Sequence, residues 1–164
     1  MYQSGKTYGH EIGLSCAFRQ PKADSHCNRV HGYSLSFALM FEADALDKNG
    51  WVIDFGALKQ IKNWLEFRFD HKTVIAADDP HLAYFEQGHE LKVLDLVVLP
   101  AVGCEKFAEY VFAYVKDWLV DFKHAPRVEL VSVKVSEHGA NSATYINPKL
   151  DISRKQNALI IEAD

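Results

Sequence analysis

An α+β fold built on an antiparallel sheet is the architecture this sequence predicts, and three observations carry the prediction. Residues 31–41, HGYSLSFALMF, alternate large with small side chains at the period of two that marks a strand. Residues 55–69 and 104–122 instead repeat apolar side chains every three or four positions, the spacing of a helix. Near the C-terminus Val131, Val133 and Val135 return to the period of two. The order strand, strand, helix, helix, strand, strand builds a four-stranded antiparallel sheet with two helices on one face.

The first strand is expected over residues 8–18, where small, aromatic and apolar residues dominate. A loop of turn-forming and polar residues, QPKADSHCNR (20–29), joins it to the second strand, which places His31, Tyr33, Leu35 and Phe37 on one face. Asp54 then precedes FGALKQIKNWLEFRF, in which Leu58, Ile61 and Leu65 recur at helical spacing, and is expected to cap that helix. In the second helix Phe107, Val111, Tyr114 and Trp118 form the apolar stripe. Residues 70–103 show no clear period, although LKVLDLVVLP (91–100) suits a short strand. RVELVSVKVSE (127–137) and SATYIN (142–147) flank the turn-like HGAN (138–141) and predict a closing hairpin. Such a sheet leaves two edges open, which favours association with other subunits.

The chain has 164 residues, which suits one domain over residues 1–148 followed by a polar tail, residues 149–164. With 48% hydrophobic and 24% charged residues the composition excludes a disordered or fibrous chain. Eighteen Lys and Arg against 22 Asp and Glu give a net charge of −4, so no global field attracts nucleic acid or an anionic membrane. Apolar runs stop well short of the roughly 20 residues a membrane span requires. Cys16, Cys27 and Cys104 are too few and scattered for a disulfide scaffold, and no secretory leader is evident. A cytoplasmic, reduced protein is the expectation.

Chemistry concentrates in four places. In Ser25-His26-Cys27-Asn28-Arg29-Val30-His31-Gly32-Tyr33 a thiol and imidazoles share one loop, as a metal site or a nucleophile and base pair requires, although Cys27 alone also reads as a small buried residue. Asp70-His71 sets a carboxylate beside an imidazole that it can orient, and a helix C-terminal cap explains the same pair. Glu137 suits the edge of a pterin or guanine, whose N–H and neighbouring NH₂ a carboxylate accepts together, or is an exposed residue before a turn. Glu105 is favourably placed in the helix dipole at the start of the second helix.

Taken in order, Cys27-Asn28-Arg29-Val30-His31-Gly32, Val52-Ile53-Asp54-Phe55-Gly56-Ala57-Leu58-Lys59, Asp70-His71, Glu105 and Ser136-Glu137 resemble the 6-pyruvoyl-tetrahydropterin and 6-carboxy-tetrahydropterin synthase family over about residues 8–147. The resemblance implies a tunnelling fold, in which sheets of neighbouring subunits join into a barrel as a homo-oligomer, a trimer or a hexamer, with active sites between neighbours. It implies a lyase acting on the pterin 7,8-dihydroneopterin triphosphate. The 6-carboxy type belongs to 7-deazaguanine (queuosine) biosynthesis. On this analogy Cys27 is the catalytic base, Asp70 and His71 are its relay, and Glu137 and Glu105 bind the ring.

The resemblance also implies a zinc cofactor held by three histidines, and here the chain departs from the family. Leu14-Ser15-Cys16-Ala17-Phe18-Arg19 is similar to the family's F-S-A-A-H-R, with Phe18 at a ligand position, and the family's H-G-H becomes His31-Gly32-Tyr33. Only His31 is retained. A phenyl ring offers no donor, and a phenol is an uncommon zinc ligand. Three functions follow as expectations: a pterin lyase with an altered or absent metal site, a non-catalytic pterin or purine binder, and a structural or regulatory subunit of a mixed oligomer.

Overall fold

The longest strand organises the molecule. In the computed structural model, which describes residues 1–150, β3 (His31–Ala43) runs through the middle of a seven-stranded mixed sheet. The last 14 residues of the tail, 151–164, lie outside the described residues. Around β3 stand β1 (Tyr2–Tyr8), β2 (Leu14–Phe18), β4 (Lys72–Ala76), β5 (Leu96–Leu99), β6 (Glu129–Ser136) and β7 (Ser142–Ile146). Three helices accompany them: α1 (Lys59–Phe69), α2 (Leu82–Glu90) and α3 (Cys104–Asp121). The sheet order is β5-β4-β2-β3-β6-β7, with β1 also paired to β3.

This corrects the four-stranded antiparallel expectation in three ways. The expected first strand is two strands: β1 pairs Tyr8 with Phe37, β2 pairs Leu14 with Leu35, and a one-turn helix at His10–Ile12 separates them. Secondly, β4 joins β2 and β5 joins β4 in parallel, so the sheet is mixed. Val74-Ile75-Ala76 of β4 are all buried, the usual look of a parallel strand covered on both sides, whereas β5 at the edge leaves Val98 exposed. Thirdly, α2 has no buried residue and holds Gly88 in its interior, so no apolar stripe announces it.

Asp54 does not cap α1, whose N-cap position is Leu58. Its Oδ1 accepts the Gly56 N–H at 2.7 Å, and a chain of i→i+3 turns runs from there into the helix. A short acidic side chain hydrogen-bonding two residues ahead favours a turn over a cap, and Gly56 lets that turn form.

The core lies between the sheet and helices α1 and α3. Leu35, Phe37, Leu39 and Phe41 of β3 are buried, one face of the strand as the alternation requires. Phe69 of α1 meets Phe37 at 4.9 Å between ring centroids, and Phe107 of α3 meets Phe18 at 5.2 Å and Phe69 at 5.4 Å. Both helices therefore cover that face, and each buried ring or leucine contributes about 1.5–3 kcal/mol. No described helix is long and apolar enough to cross a membrane.

Candidate functional site

Strand pairing brings the two halves of the candidate site together. Phe18, last in β2, is the register partner of His31, first in β3, and both project toward the core face at the end where that core opens. Their rings lie 4.8 Å apart, and Tyr33, two residues on, stands 5.6 Å from His31 and 6.1 Å from Phe18. His138, just past β6, continues the line at 5.8 Å from Tyr33. Phe18 is fully buried against Phe107, whereas His31 and Tyr33 are half-buried and His138 is exposed. The row of rings thus rises from the core to the surface.

Hydrogen-bond partners fix the ring nitrogens. His31 Nδ1 lies 2.8 Å from the Arg29 carbonyl oxygen, which can only accept, so Nδ1 carries a hydrogen and neutral His31 presents a bare Nε2. His138 is the reverse. Its Nδ1 accepts the Ala140 N–H at 3.2 Å, so the neutral ring carries its hydrogen on Nε2.

Cys27 enters from the loop between β2 and β3. It sits in a one-turn helix at His26–Asn28 whose N-cap, Ser25, accepts the Cys27 N–H on its hydroxyl, while the Cys27 carbonyl accepts the Gln20 N–H at 2.8 Å. The thiol is half-buried and free. Cys27 and Glu137 are close enough to act on the Tyr33 phenol, which is pushed above the ordinary range by burial first and then by negative charge on Glu137, Cys27 and Cys104. Cys27, Tyr33, Glu137 and Cys104 therefore share one neighbourhood.

Glu137 follows the last residue of β6 and is tied locally, its N–H to the Asn141 carbonyl at 3.1 Å and its Oε2 to Asn141 Nδ2 at 3.4 Å. Cys104 opens α3 beside Glu137; burial and then the Glu137 and Glu105 charges push its thiol up to about 12. Glu105 is exposed in the first turn of α3. The helix starts here because Gly103 takes φ 107, a conformation for glycine, with Gln20 Nε2 only 2.7 Å from where a Cβ would stand. Cys104 and His138 were not singled out as site residues from sequence; the available signal was their adjacency to Glu105 and Glu137.

The acid–imidazole pair forms, but apart from that cluster. Asp70 Oδ1 accepts from His71 Nδ1 at 2.8 Å and from the Ser15 N–H at 3.3 Å, which leaves His71 Nε2 as the basic edge. Asp70 is also the C-cap of α1. His71 takes φ 55, an uncommon conformation for a non-glycine residue, and holds its ring 84% exposed. Ser15 precedes Phe18 by three positions, roughly 10 Å along a strand, beyond hydrogen-bond reach of Cys27 within one protomer.

Beside the site, Arg19 Nε meets the fully buried Asp79 carboxylate at 3.3 Å, pinning the end of β2 to the segment before α2. A cleft of about 220 Å³ lined by Gln20, Pro21, Lys22 and Val102 adjoins this corner. A larger one of about 520 Å³, lined by Tyr2, Leu46, Trp51 and Phe55, lies against β1 and contains none of the candidate residues.

The donor set around His31 does not fit a three-imidazole metal centre. Phe18 presents only carbon at the ligand position expected from sequence, and Tyr33 presents a phenol. Among the described residues no three His, Cys, Asp or Glu side chains are grouped so as to hold a metal ion.

A model of the family described as 6-pyruvoyl tetrahydropterin synthase matches residues 9–148. The chain is 35% identical over 57 residues to the 6-carboxy-5,6,7,8-tetrahydropterin synthase of Rickettsia felis, a match covering 34% of this chain and 41% of that protein. The chain thus spans less than half the length of that relative. Against the enzyme of the same name from Aquifex aeolicus it is 24% identical over 148 residues, 88% of each chain. An uncharacterized protein from Wolinella succinogenes has a solved structure that superposes with a TM-score of 0.75 at 19% identity, covering 89% of this chain and 98% of that one. The 6-pyruvoyl tetrahydropterin synthase of Plasmodium vivax superposes at 0.64 and 16% identity, covering 90% and 99%. At these identities the two structures speak for the fold.

Proposed function

Since the chain belongs to the 6-pyruvoyl tetrahydropterin synthase family, we propose that it is a pterin-processing lyase that acts on 7,8-dihydroneopterin triphosphate without a three-histidine zinc centre. The relatives named 6-carboxy-5,6,7,8-tetrahydropterin synthase favour the carboxy product and 7-deazaguanine synthesis. The observation that carries the reading is the gathering of Cys27, Tyr33 and Glu137 at the open end of the core, a base, a hydroxyl donor and a ring-edge acceptor in one neighbourhood.

Glu137 accepts the pterin's ring N–H and exocyclic NH₂ with its two carboxylate oxygens, and Glu105 adds a second acceptor near the ring. That contact holds the side chain against Cys27. The Cys27 thiolate removes a carbon-bound hydrogen from the side-chain carbon next to the ring; the electron pair moves into the adjacent ring C=N bond, whose nitrogen takes a proton. The resulting intermediate loses triphosphate; for the carboxy product a water adds to the remaining side chain and the bond between its first two carbons breaks, so that the outer two carbons leave as acetaldehyde and the inner one stays as the carboxylate. His71, with Nε2 bare and Nδ1 held by Asp70, relays protons. As that pair lies apart from Cys27 within a protomer, it serves the site of a neighbouring copy in a homo-oligomer, a trimer or hexamer.

Turnover of 7,8-dihydroneopterin triphosphate tests the reading. Cys27→Ala is expected to abolish product while leaving the circular dichroism spectrum and Tm unchanged; undiminished turnover in that variant removes Cys27 as the base. The Phe18 and Tyr33 replacements favour a second reading, a non-catalytic pterin or purine binder. Calorimetric binding that Glu137→Ala abolishes, with no product from the unmodified protein, would select it.

A further inference from the structure

The surface end of the ring row has a definite hydrogen-bonding pattern. Tyr33 O–H has no hydrogen-bond partner among the described residues, and a tyrosine hydroxyl stays protonated near neutral pH. His138 presents an Nε2–H because its Nδ1 is occupied as an acceptor, and His31 presents a bare Nε2 because its Nδ1 is occupied as a donor. The phenol ring is 5.6 Å from one imidazole and 5.8 Å from the other. Two donors and one acceptor thus stand in a row of rings beside Cys27 and Glu137, the two imidazoles with their Nδ1 atoms already engaged by backbone groups.

We infer that Tyr33 and His138 are donors to a side-chain oxygen of the bound ligand, with His31 accepting from a neighbouring hydroxyl, so that this chain recognises adjacent oxygen functions by hydrogen bonds alone. The inference rests on the pterin-lyase reading and adds to it three residues with stated roles. Only a ligand carrying two oxygens on neighbouring carbons meets the whole pattern. A ring-only purine meets Glu137 and leaves the three groups unmatched. In the reaction, the C–H bond beside the ring breaks, the proton forms an S–H bond on Cys27, and the electron pair passes into the ring. Hydrogen bonds to the oxygen on that carbon withdraw charge and acidify the hydrogen. Removing one such donor costs about 10²–10³-fold in rate.

The test is exchange of the side-chain carbon-bound hydrogen of 7,8-dihydroneopterin triphosphate with D₂O, followed by NMR on the full-length protein, with ring binding measured separately by fluorescence titration. Tyr33→Phe keeps the ring contacts and is expected to slow exchange about 10²-fold or more while leaving ring affinity within about threefold, the usual split for a lost transition-state contact. His138→Ala is expected to slow exchange as well, and His138→Gln, which restores an N–H donor, to recover part of it. Exchange in Tyr33→Phe equal to that of the unmodified protein overturns the inference and leaves Cys27 as base intact. A matching loss of affinity for a pterin that lacks the side chain also overturns it, since Tyr33 would then serve the ring and not the side-chain oxygens. Neither exchange nor product in the unmodified protein overturns the lyase reading and this inference together, while retained ring binding in that case selects the binder.

Discussion

The thiol of Cys104 stands beside the carboxylate of Glu137 at the junction of α3 and β6, and burial together with the charge of that carboxylate pushes the thiol up to about 12. Cys104 therefore remains a neutral thiol near neutral pH. Cys16, raised to about 12 chiefly by burial, is equally unreactive. Of the three free cysteines only Cys27 is not buried. Brief iodoacetamide treatment of native protein at about pH 8, near the ordinary thiol range, should modify Cys27 alone. Peptide mass spectrometry reading equal labelling at Cys104 would contradict the burial of that thiol.

The same two thiols tie stability to alkaline pH. Each ionises near its ordinary value when unfolded but only at about 12 when folded, so the folded state holds protons the unfolded state has lost. Their contribution is complete below about pH 8.5 and is lost progressively as pH rises through the folded value. Urea midpoints taken under reducing conditions should fall from about pH 8.5 upward, and Cys16→Ala should flatten that decline. A midpoint that stays level into the alkaline range would show the thiols are not buried as described.

Phe18→His and Tyr33→His together should confer metal affinity. Phe18 and Tyr33 lie within ring contact of His31, so Phe18→His with Tyr33→His sets three imidazoles around one point. Plasma mass spectrometry should find about one zinc per chain in the double variant and far less in the unmodified protein. About one zinc per chain in the unmodified protein would refute the metal-free reading.

If the acid–imidazole pair serves a neighbour's thiol, defects in the two should complement. Cys27→Ala and His71→Ala should each be inactive as pure proteins. After the two are mixed, unfolded and refolded together, turnover should return in sites that draw Cys27 from one copy and His71 from the next. Continued inactivity of correctly assembled mixtures would place both groups in one protomer's site or remove one from the mechanism.

The Arg19–Asp79 contact should matter more for stability than for chemistry. Asp79 is fully buried at its side chain, and the Arg19 Nε it faces is itself buried without a hydrogen bond. Asp79→Ala strands that guanidinium, a change that costs about 3–5 kcal/mol in comparable buried pairs. Replacing both by Leu should cost less than the single change. Urea unfolding of the three variants decides the order.

Much of this protein was legible in its sequence because short-range periodicity determines it. The alternation in residues 31–41 placed Leu35 and Phe37 on the buried face, the stripe from Phe107 to Trp118 located α3, and Val131, Val133 and Val135 located β6. Cys27, His31, Asp70-His71 and Glu137 stood out because their residue types, not their surroundings, carry chemistry. Tertiary structure alone decided the rest. Whether Val74-Ile75-Ala76 is strand or helix depends on the partner β2 offers it, and α2 has no apolar face from which it could be read. The direction each ring nitrogen presents at His31 and His138 follows from backbone groups that only the fold brings near. The separation of His71 from Cys27 follows from strand register, since Asp70 bonds Ser15, three positions along β2 from Phe18. Local sequence fixes which face a side chain takes; distances between elements are set by packing and pairing across the chain.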